Sequence, residues 1–191
     1  MIFAALDIEA TGLINPDLSD PNYQPGIVEF GAIRWAESDR GLEVAPRELI
    51  LRINPEMNIS KGATEVHGIT DEHVSKELTF KGAFSKIAEF FTGVGTLITF
   101  NGKAYDMPVI MFNLQRYNLQ YQFPWPRIHI DVMHSSADYV GLQGKTSNKV
   151  PKLTELYKFL FDKELEGAHN AYEDAKATKE CYQELRNRRV I

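Results

Sequence analysis

A strand that carries acids on its buried face limits what this chain can become. Ile2 to Ile8 is apolar except for Asp7, as a central strand covered on both faces should be, and Glu9 follows at once. Two residues apart on a strand, Asp7 and Glu9 leave the same face. Burying two like charges side by side is costly unless something positive compensates. No Lys or Arg lies within the strand to do so. Taken alone, the pair is explained as well by a strand end that emerges into water with two hydrated acids.

The order of elements after that strand defines a fold class. Gly26–Trp35 and Leu49–Ile53 read as two further strands, with Pro16, Pro21 and Pro25 in the first connection. Phe80, Phe84, Ile87, Ala88 and Phe91 recur at helical spacing. Thr96–Phe100 is a short buried strand, and a helix follows through Ile110, Leu114 and Tyr117. Ile128–Ile130 is a further strand that opens into a helix near Asp131. Leu153, Leu156, Tyr157 and Leu160 mark another helix, and a last one runs from about Ala171 to Leu185. Three strands first, then alternating helices and strands, predict an α/β domain with a mixed sheet flanked by helices. At 191 residues the chain fits one such domain, residues 1–191. Gly141–Lys149, rich in Gly, Ser, Asn and Lys, reads as a mobile loop.

Other acids interrupt buried surfaces. Ala171, Ala175, Thr178, Cys181, Tyr182 and Leu185 form a core-facing helical stripe, and Asp174 falls on it. A charge there is rarely left unpaired, so an ion pair with a core-facing Arg is the plain alternative to a functional role. Asn170 followed by Glu173 matches an N-cap with its capping-box partner. That starts the helix at Ala171 and leaves His169 in the preceding loop, free to swing over the site Asp174 faces. A lone loop histidine is ordinarily a surface residue, so its role depends on its neighbours. Asp106 opens the helix after the fourth strand; with Pro108 close behind, a cap or first-turn acid explains it in isolation.

Carboxylates converging from separate elements suit hard divalent cations such as Mg²⁺ or Mn²⁺. Two such ions can clamp a phosphodiester. In that arrangement Asp7 bridges both ions, Glu9 and Asp174 complete the first, and Asp106 helps to hold the second. His169, with an ordinary pKa near 6.5, suits removal of a proton from the attacking water. Zinc is disfavoured, because the chain has a single cysteine, Cys181, and no close histidine pair. That lone cysteine also excludes an internal disulfide and makes a reducing, cytoplasmic setting the default. No apolar run spans a bilayer, and Met1–Ile8 lacks the basic start of a signal peptide. The net charge of −5 argues against a duplex-coating protein, which should be basic.

Asp7-Ile8-Glu9-Ala10-Thr11-Gly12, Phe100-Asn101-Gly102-Lys103-Ala104-Tyr105-Asp106 and His169-Asn170-Ala171-Tyr172-Glu173-Asp174 resemble the three motifs of the DEDDh 3′→5′ exonucleases. The family includes the proofreading subunit of bacterial DNA polymerase III, RNase T and oligoribonuclease. Val66-His67-Gly68-Ile69-Thr70 also resembles a stretch beside that family's substrate cleft. The three motifs occur in the family's order and span nearly the whole chain. The resemblance implies an RNase H-like fold with five strands. It also implies two-metal catalysis by Asp7, Glu9, Asp106 and Asp174 with His169 as base, and release of 5′-mononucleotides. Substrate contacts are expected at Ala10, Thr11, Gly12, Leu13, His67, Asn101 and Tyr105. Leu13 and Ile14 would supply an apolar wedge, and the backbone of Thr11 and Gly12 would meet the terminal hydroxyl. Phe100, Tyr105, Phe123 and Trp125 are candidate stacking partners, with core packing the commoner fate of such rings. Ala10 and Phe100 depart from the commonest family pattern and leave the grip on the terminal sugar open.

The expected partners are single-stranded DNA or RNA 3′ ends, with DNA slightly favoured. Trimming of RNA ends and degradation of short oligoribonucleotides is the alternative within enzymes. A non-catalytic domain that binds nucleic-acid ends is the alternative outside them. A homodimer is compatible with the sequence. A polymerase partner is disfavoured, since the chain stops soon after the last helix. Lys145, Lys149 and Lys152 form one basic patch near the loop, and Arg186, Arg188 and Arg189 form another.

Overall fold

In the computed structural model, which describes residues 1–37, 43–141 and 150–191, side-chain alternation along one central strand divides the protein into two cores. The five strands are β1 (Ile2–Ala10), β2 (Ile27–Glu37), β3 (Glu43–Arg52), β4 (Thr96–Thr99) and β5 (Ile128–Asp131). They lie in the order β3-β2-β1-β4-β5. β1 pairs antiparallel with β2 and parallel with β4. β2 and β3 are antiparallel, and β5 continues the parallel half beside β4. The sheet is mixed, as three leading strands followed by helix–strand alternation predict. The helices are α1 (Lys61–His67), α2 (Asp71–Val74), α3 (Phe80–Phe91), α4 (Asp106–Arg116), α5 (Val132–Val140), α6 (Leu153–Phe161) and α7 (Ala171–Asn187).

On one face of β1, Ala4, Leu6, Ile8 and Ala10 pack with Phe30 and Ala32 of β2. α3 covers them through Phe84, Ile87 and Phe91, and α4 through Val109, Ile110 and Leu114. On the other face Phe3 and Ala5 join Ile33 and Trp35 of β2. α6 and α7 cover this second core through Leu156, Leu160, Cys181, Tyr182 and Leu185. Phe3 stacks on Trp35 with ring centres 5.4 Å apart. Asp7 and Glu9 continue the face of Phe3 and Ala5 toward the N-terminal end of α7.

Several boundaries differ from those the sequence suggests. β1 does not end at the acids but runs through them to Ala10, with Asp7 opposite Gly31 and Glu9 opposite Glu29. β3 begins six residues before Leu49, because its pairing with β2 extends past the apolar stretch. The apolar pattern did not reveal α1, which buries none of its residues. Ser60 caps it by accepting from the Ala63 amide, and Gly68 ends it in the left-handed conformation. Of the stretch Gly141–Lys149, read as a mobile loop, Gly141 ends α5 in the left-handed conformation, and 142–149, with Lys145 and Lys149, lie outside the described residues. Arg186 and Arg188 do not form a free basic patch: Arg186 binds Glu37, and Arg188 binds Glu184 and the Leu160 carbonyl.

One close approach fixes α7 on the sheet. A Cβ placed on Gly31 would stand 2.2 Å from the Ala171 carbonyl carbon and 2.3 Å from the Tyr172 nitrogen. Gly31→Ala should therefore cost at least the ~1–3 kcal/mol typical of overpacking, because the obstructing atoms are backbone. Gly82→Ala, on the exposed side of α3 with its nearest contact at 3.5 Å, should instead stabilise by about 0.5–1 kcal/mol. Denaturant unfolding of the two variants tests this contrast. Wild-type stability for Gly31→Ala would contradict the packing described.

Candidate active site

Three carboxylates converge where β1 passes beneath the start of α7. Asp7, Glu9 and Asp174 each bring an oxygen to within 4.8 Å of the others. The strand alternation supplies the first two and the helical stripe supplies the third. Among the described residues Asp174 has no arginine partner. Its Oδ2 accepts from the His169 backbone amide at 3.0 Å, and its Oδ1 is buried without a hydrogen-bond partner.

The corner before α7 carries the N-cap that the Asn170 pattern predicts, but not the reciprocal capping-box bond from Glu173. The Asn170 side chain accepts from the Glu173 amide at 3.2 Å and caps the helix. Glu173 turns to Lys176 at 3.7 Å. His169 sits outside the helix, exposed, with a left-handed backbone φ of 67°.

Asp106 stands apart from this trio as the first residue of α4. It is buried, and its Oδ1 accepts from the Ile8 amide at 3.1 Å. β4 ends at Thr99, short of this level, so the carboxylate takes a strand amide that no neighbouring strand reaches. The turn leading to Asp106 depends on a residue that no sequence motif marks. Buried Asp131, at the end of β5, accepts from the Asn101 amide at 2.9 Å and the Lys103 amide at 3.2 Å. Gly102 is needed in this turn, since a Cβ there would lie 2.4 Å from Thr99. Asn101 adopts a left-handed φ of 60° beside it.

The segment Ala10–Leu13 is braced from two sides. The His67 ring accepts from the Ile69 amide through Nδ1 at 3.0 Å, so its Nε2 carries the proton and donates to the Ala10 carbonyl at 3.2 Å. Burial lowers the His67 pKa and keeps the ring neutral. The Tyr105 hydroxyl donates to the Gly12 carbonyl at 2.7 Å. The Thr11 backbone is also tied within the protein. Its amide donates to Gly26, and its carbonyl accepts from Ser60.

Two hollows flank the acids. One of about 500 Å³ is lined by Glu9, Ala10, Gly12, Leu13, His67 and Tyr105, together with Val66 and Ala63 of α1. Leu13 is 89% exposed at its edge. The other, of about 560 Å³, is lined by Asp7, Asp174, His169, Phe100, Asn101 and Lys152. Phe123 and Trp125 line neither; they pack on each other with ring centres 4.5 Å apart, Phe123 buried against Phe91.

Residues 4–182 match the family model described as Exonuclease. The chain belongs to the exonuclease family. No curated protein matches it. Among solved structures it is similar to E. coli Exonuclease I in complex with a dT13 oligonucleotide, at 20% identity and a TM-score of 0.76, covering 98% of this chain and 41% of that one. The E. coli enzyme with a dA16 oligonucleotide gives 19% and 0.74, covering 99% and 42%. The zinc-bound form of its complex with single-stranded DNA gives 19% and 0.72, covering 98% and 40%. The chain spans about two fifths of the length of these structures. The likeness establishes the RNase H-like fold of this exonuclease-family domain.

The electrostatics show what these four acids cost here. Burial, then Asp106, Asp174, Glu9 and Glu29, push Asp7 well above the usual carboxylate range. Burial and the neighbouring acids raise Glu9 to about 8. Burial raises Asp106 to about 7 against the hydrogen bond from Ile8, and burial raises Asp174. No Lys or Arg forms an ion pair with any of the four among the described residues. An all-oxygen donor set with an unpartnered buried oxygen fits hard divalent cations.

A pH dependence follows. Glu9 and Asp106 have ordinary values of 4.5 and 3.8 and rise to about 8 and about 7 in the fold. Between those limits the folded chain holds protons that the unfolded chain has released. Their contribution to stability is therefore present at low pH and lost as pH rises through about 7–8. Without metal, Tm should fall over that interval. Mg²⁺ or Mn²⁺ should restore it, with the largest gain near pH 8. Melting curves in EDTA and in Mn²⁺ across pH 5–9 check this. A metal effect that shrinks as pH rises would contradict it.

Proposed function

We propose that the protein is a 3′→5′ exonuclease that hydrolyses phosphodiester bonds at the 3′ ends of single-stranded DNA, releasing 5′-mononucleotides, and that residues 1–191 act as one catalytic domain. The convergence of Asp7, Glu9 and Asp174, with no Lys or Arg in an ion pair with them among the described residues, carries this reading. Asp7, Glu9 and Asp174 would hold one divalent cation, and Asp7 with Asp106 a second. Bound Mg²⁺ or Mn²⁺ supplies Lewis-acid activation of water and neutralises charge on the reacting phosphate.

The chain's own residues supply position and proton transfer. A ring nitrogen of His169, on an exposed corner tied to Asp174, takes the proton of the attacking water. Exposed Leu13 and Val66 offer apolar surface to a terminal base in the hollow beside Glu9. His67 and Tyr105, which line that hollow, bind the carbonyls of Ala10 and Gly12 and so brace its wall. Asn101 and Lys152 line the hollow on the far side of the acids, where the rest of the strand can lie. The similar E. coli structures are complexes with dT13 and dA16 oligonucleotides, and one is a complex with single-stranded DNA, which supports DNA as the substrate here. Among the described residues no helix is long and apolar enough to cross a membrane.

A 5′-labelled single-stranded DNA should shorten stepwise from its 3′ end with Mn²⁺ and release 5′-mononucleotides, while a 3′-blocked strand stays intact. His169→Ala should slow single-turnover cleavage by roughly 10²–10⁴-fold. Metal affinity should hardly change, since the four carboxylates remain. Parallel reactions with single-stranded RNA and duplex DNA test the choice of substrate. Faster cleavage of RNA would move the substrate to RNA, and degradation of the 3′-blocked strand from its 5′ side would overturn the direction.

A further inference from the structure

Glu29 is a fifth acid beside the site and is not one of the four expected ligands. It interrupts the apolar run Ile27–Phe30 and is 2% exposed. The β1–β2 register sets it opposite Glu9, and the β2–β3 register sets it opposite Arg52. Its Oε1 accepts from Arg52 Nε at 2.8 Å, and its Oε2 accepts from the Ala171 amide at 3.0 Å. A carboxylate buried next to Glu9 raises the electrostatic cost of the site, since it adds repulsion to both Asp7 and Glu9. Core packing alone would be served as well by an apolar side chain.

What the charge achieves is visible in the first turn of α7. A helix start leaves amides without intrahelical acceptors. Here Asn170 supplies the acceptors for Glu173 and Asp174, by its side chain and its carbonyl respectively. Those bonds are local and would travel with the corner if it moved. The Ala171 amide is answered from the sheet, by Glu29. Gly31, two residues along the same face of β2, lets the Ala171–Tyr172 backbone lie directly on the strand. Favourable interaction of an anion with the N-terminal end of a helix strengthens this contact, and Arg52 balances the charge from the edge strand.

We propose that Glu29, backed by Arg52, is a positioning residue. By gripping Ala171 it sets the height of Asp174 and His169 above Asp7 and Glu9, and so the geometry in which metal and water are held. This rests on the exonuclease reading given above. It is distinct from a packing role, because the anchored atom is the first amide of the helix that bears both functional residues.

The test compares Glu29→Ala, Glu29→Gln and Phe84→Leu, a core change on the opposite face of the sheet, by steady-state kinetics and Mn²⁺ titration. Glu29→Ala should lower kcat and weaken Mn²⁺ binding by about 10–100-fold, the range for residues that orient metal ligands. KM for the oligonucleotide should hold near the wild-type value. Glu29→Gln, which keeps an oxygen for the Ala171 amide, should recover most of the loss. Phe84→Leu should lower Tm while leaving kcat and Mn²⁺ affinity unchanged. Wild-type kcat and Mn²⁺ affinity in folded Glu29→Ala would overturn the proposal, as would losses that merely track Tm across all three variants. Absence of metal-dependent cleavage in the wild type would instead remove the exonuclease reading on which it rests.

Discussion

Carboxylates with oxygens within 4.8 Å of one another repel, and the protein around β1 is arranged to hold them there. The repulsion has no internal remedy, since no ammonium or guanidinium group pairs with Asp7, Glu9, Asp106 or Asp174 among the described residues. A fold can sustain such a cluster only if the elements bearing the acids are fixed by contacts elsewhere. Phe3, Ala5, Ile33 and Trp35 provide this on the same face, where they bury the later turns of α7 through Cys181, Tyr182 and Leu185. The apolar length of β1 and α7 thus offsets what their charged ends cost.

Fine positioning comes from three contacts that share one logic. Gly31 lets helix backbone rest on strand backbone. Glu29 holds the first amide of α7, and Asp131 holds the amides of Asn101 and Lys103 before Asp106. In each, a main-chain group of an acid-bearing segment is tied to the sheet, so the acids inherit its rigidity. His169 lies at the end of this chain of contacts, exposed yet anchored through its amide to Asp174. That combination suits the proposed role of His169 as the base, which has to meet both solvent and substrate. Asp7 and Asp174 open to one hollow and Glu9 to the other, so a strand crossing the cluster finds room on both sides.

Much of this was legible in the sequence because period and charge conflict only at a few positions. The alternation of β1 and the stripe of α7 placed Asp7, Glu9 and Asp174 on facing surfaces, and Asn170 marked where α7 begins. Glu29 carried the same signal as Asp7, an acid within an apolar strand, and that rule applied to β2 would have found it. Asp131 was hidden by its position at a strand end, where an acid needs no explanation. The bracing of the Thr11 backbone was not legible, because only the tertiary fold brings Gly26 and Ser60 to it. α1 left no apolar period, since it buries none of its residues. The C-terminal arginines looked like a free patch because their partners Glu37 and the Leu160 carbonyl are distant in sequence.

If the acids are kept close in order to hold divalent cations, metal stoichiometry tests the account most directly. Mn²⁺ binding followed by electron paramagnetic resonance, alongside turnover of single-stranded DNA in the same samples, gives both quantities at once. The account predicts two Mn²⁺ per chain in the wild type, turnover that rises with their occupancy, and loss of both ions together with activity in Asp7→Ala. Full turnover in excess chelator with no retained metal would contradict it, as would Mn²⁺ binding that is undiminished in Asp7→Ala.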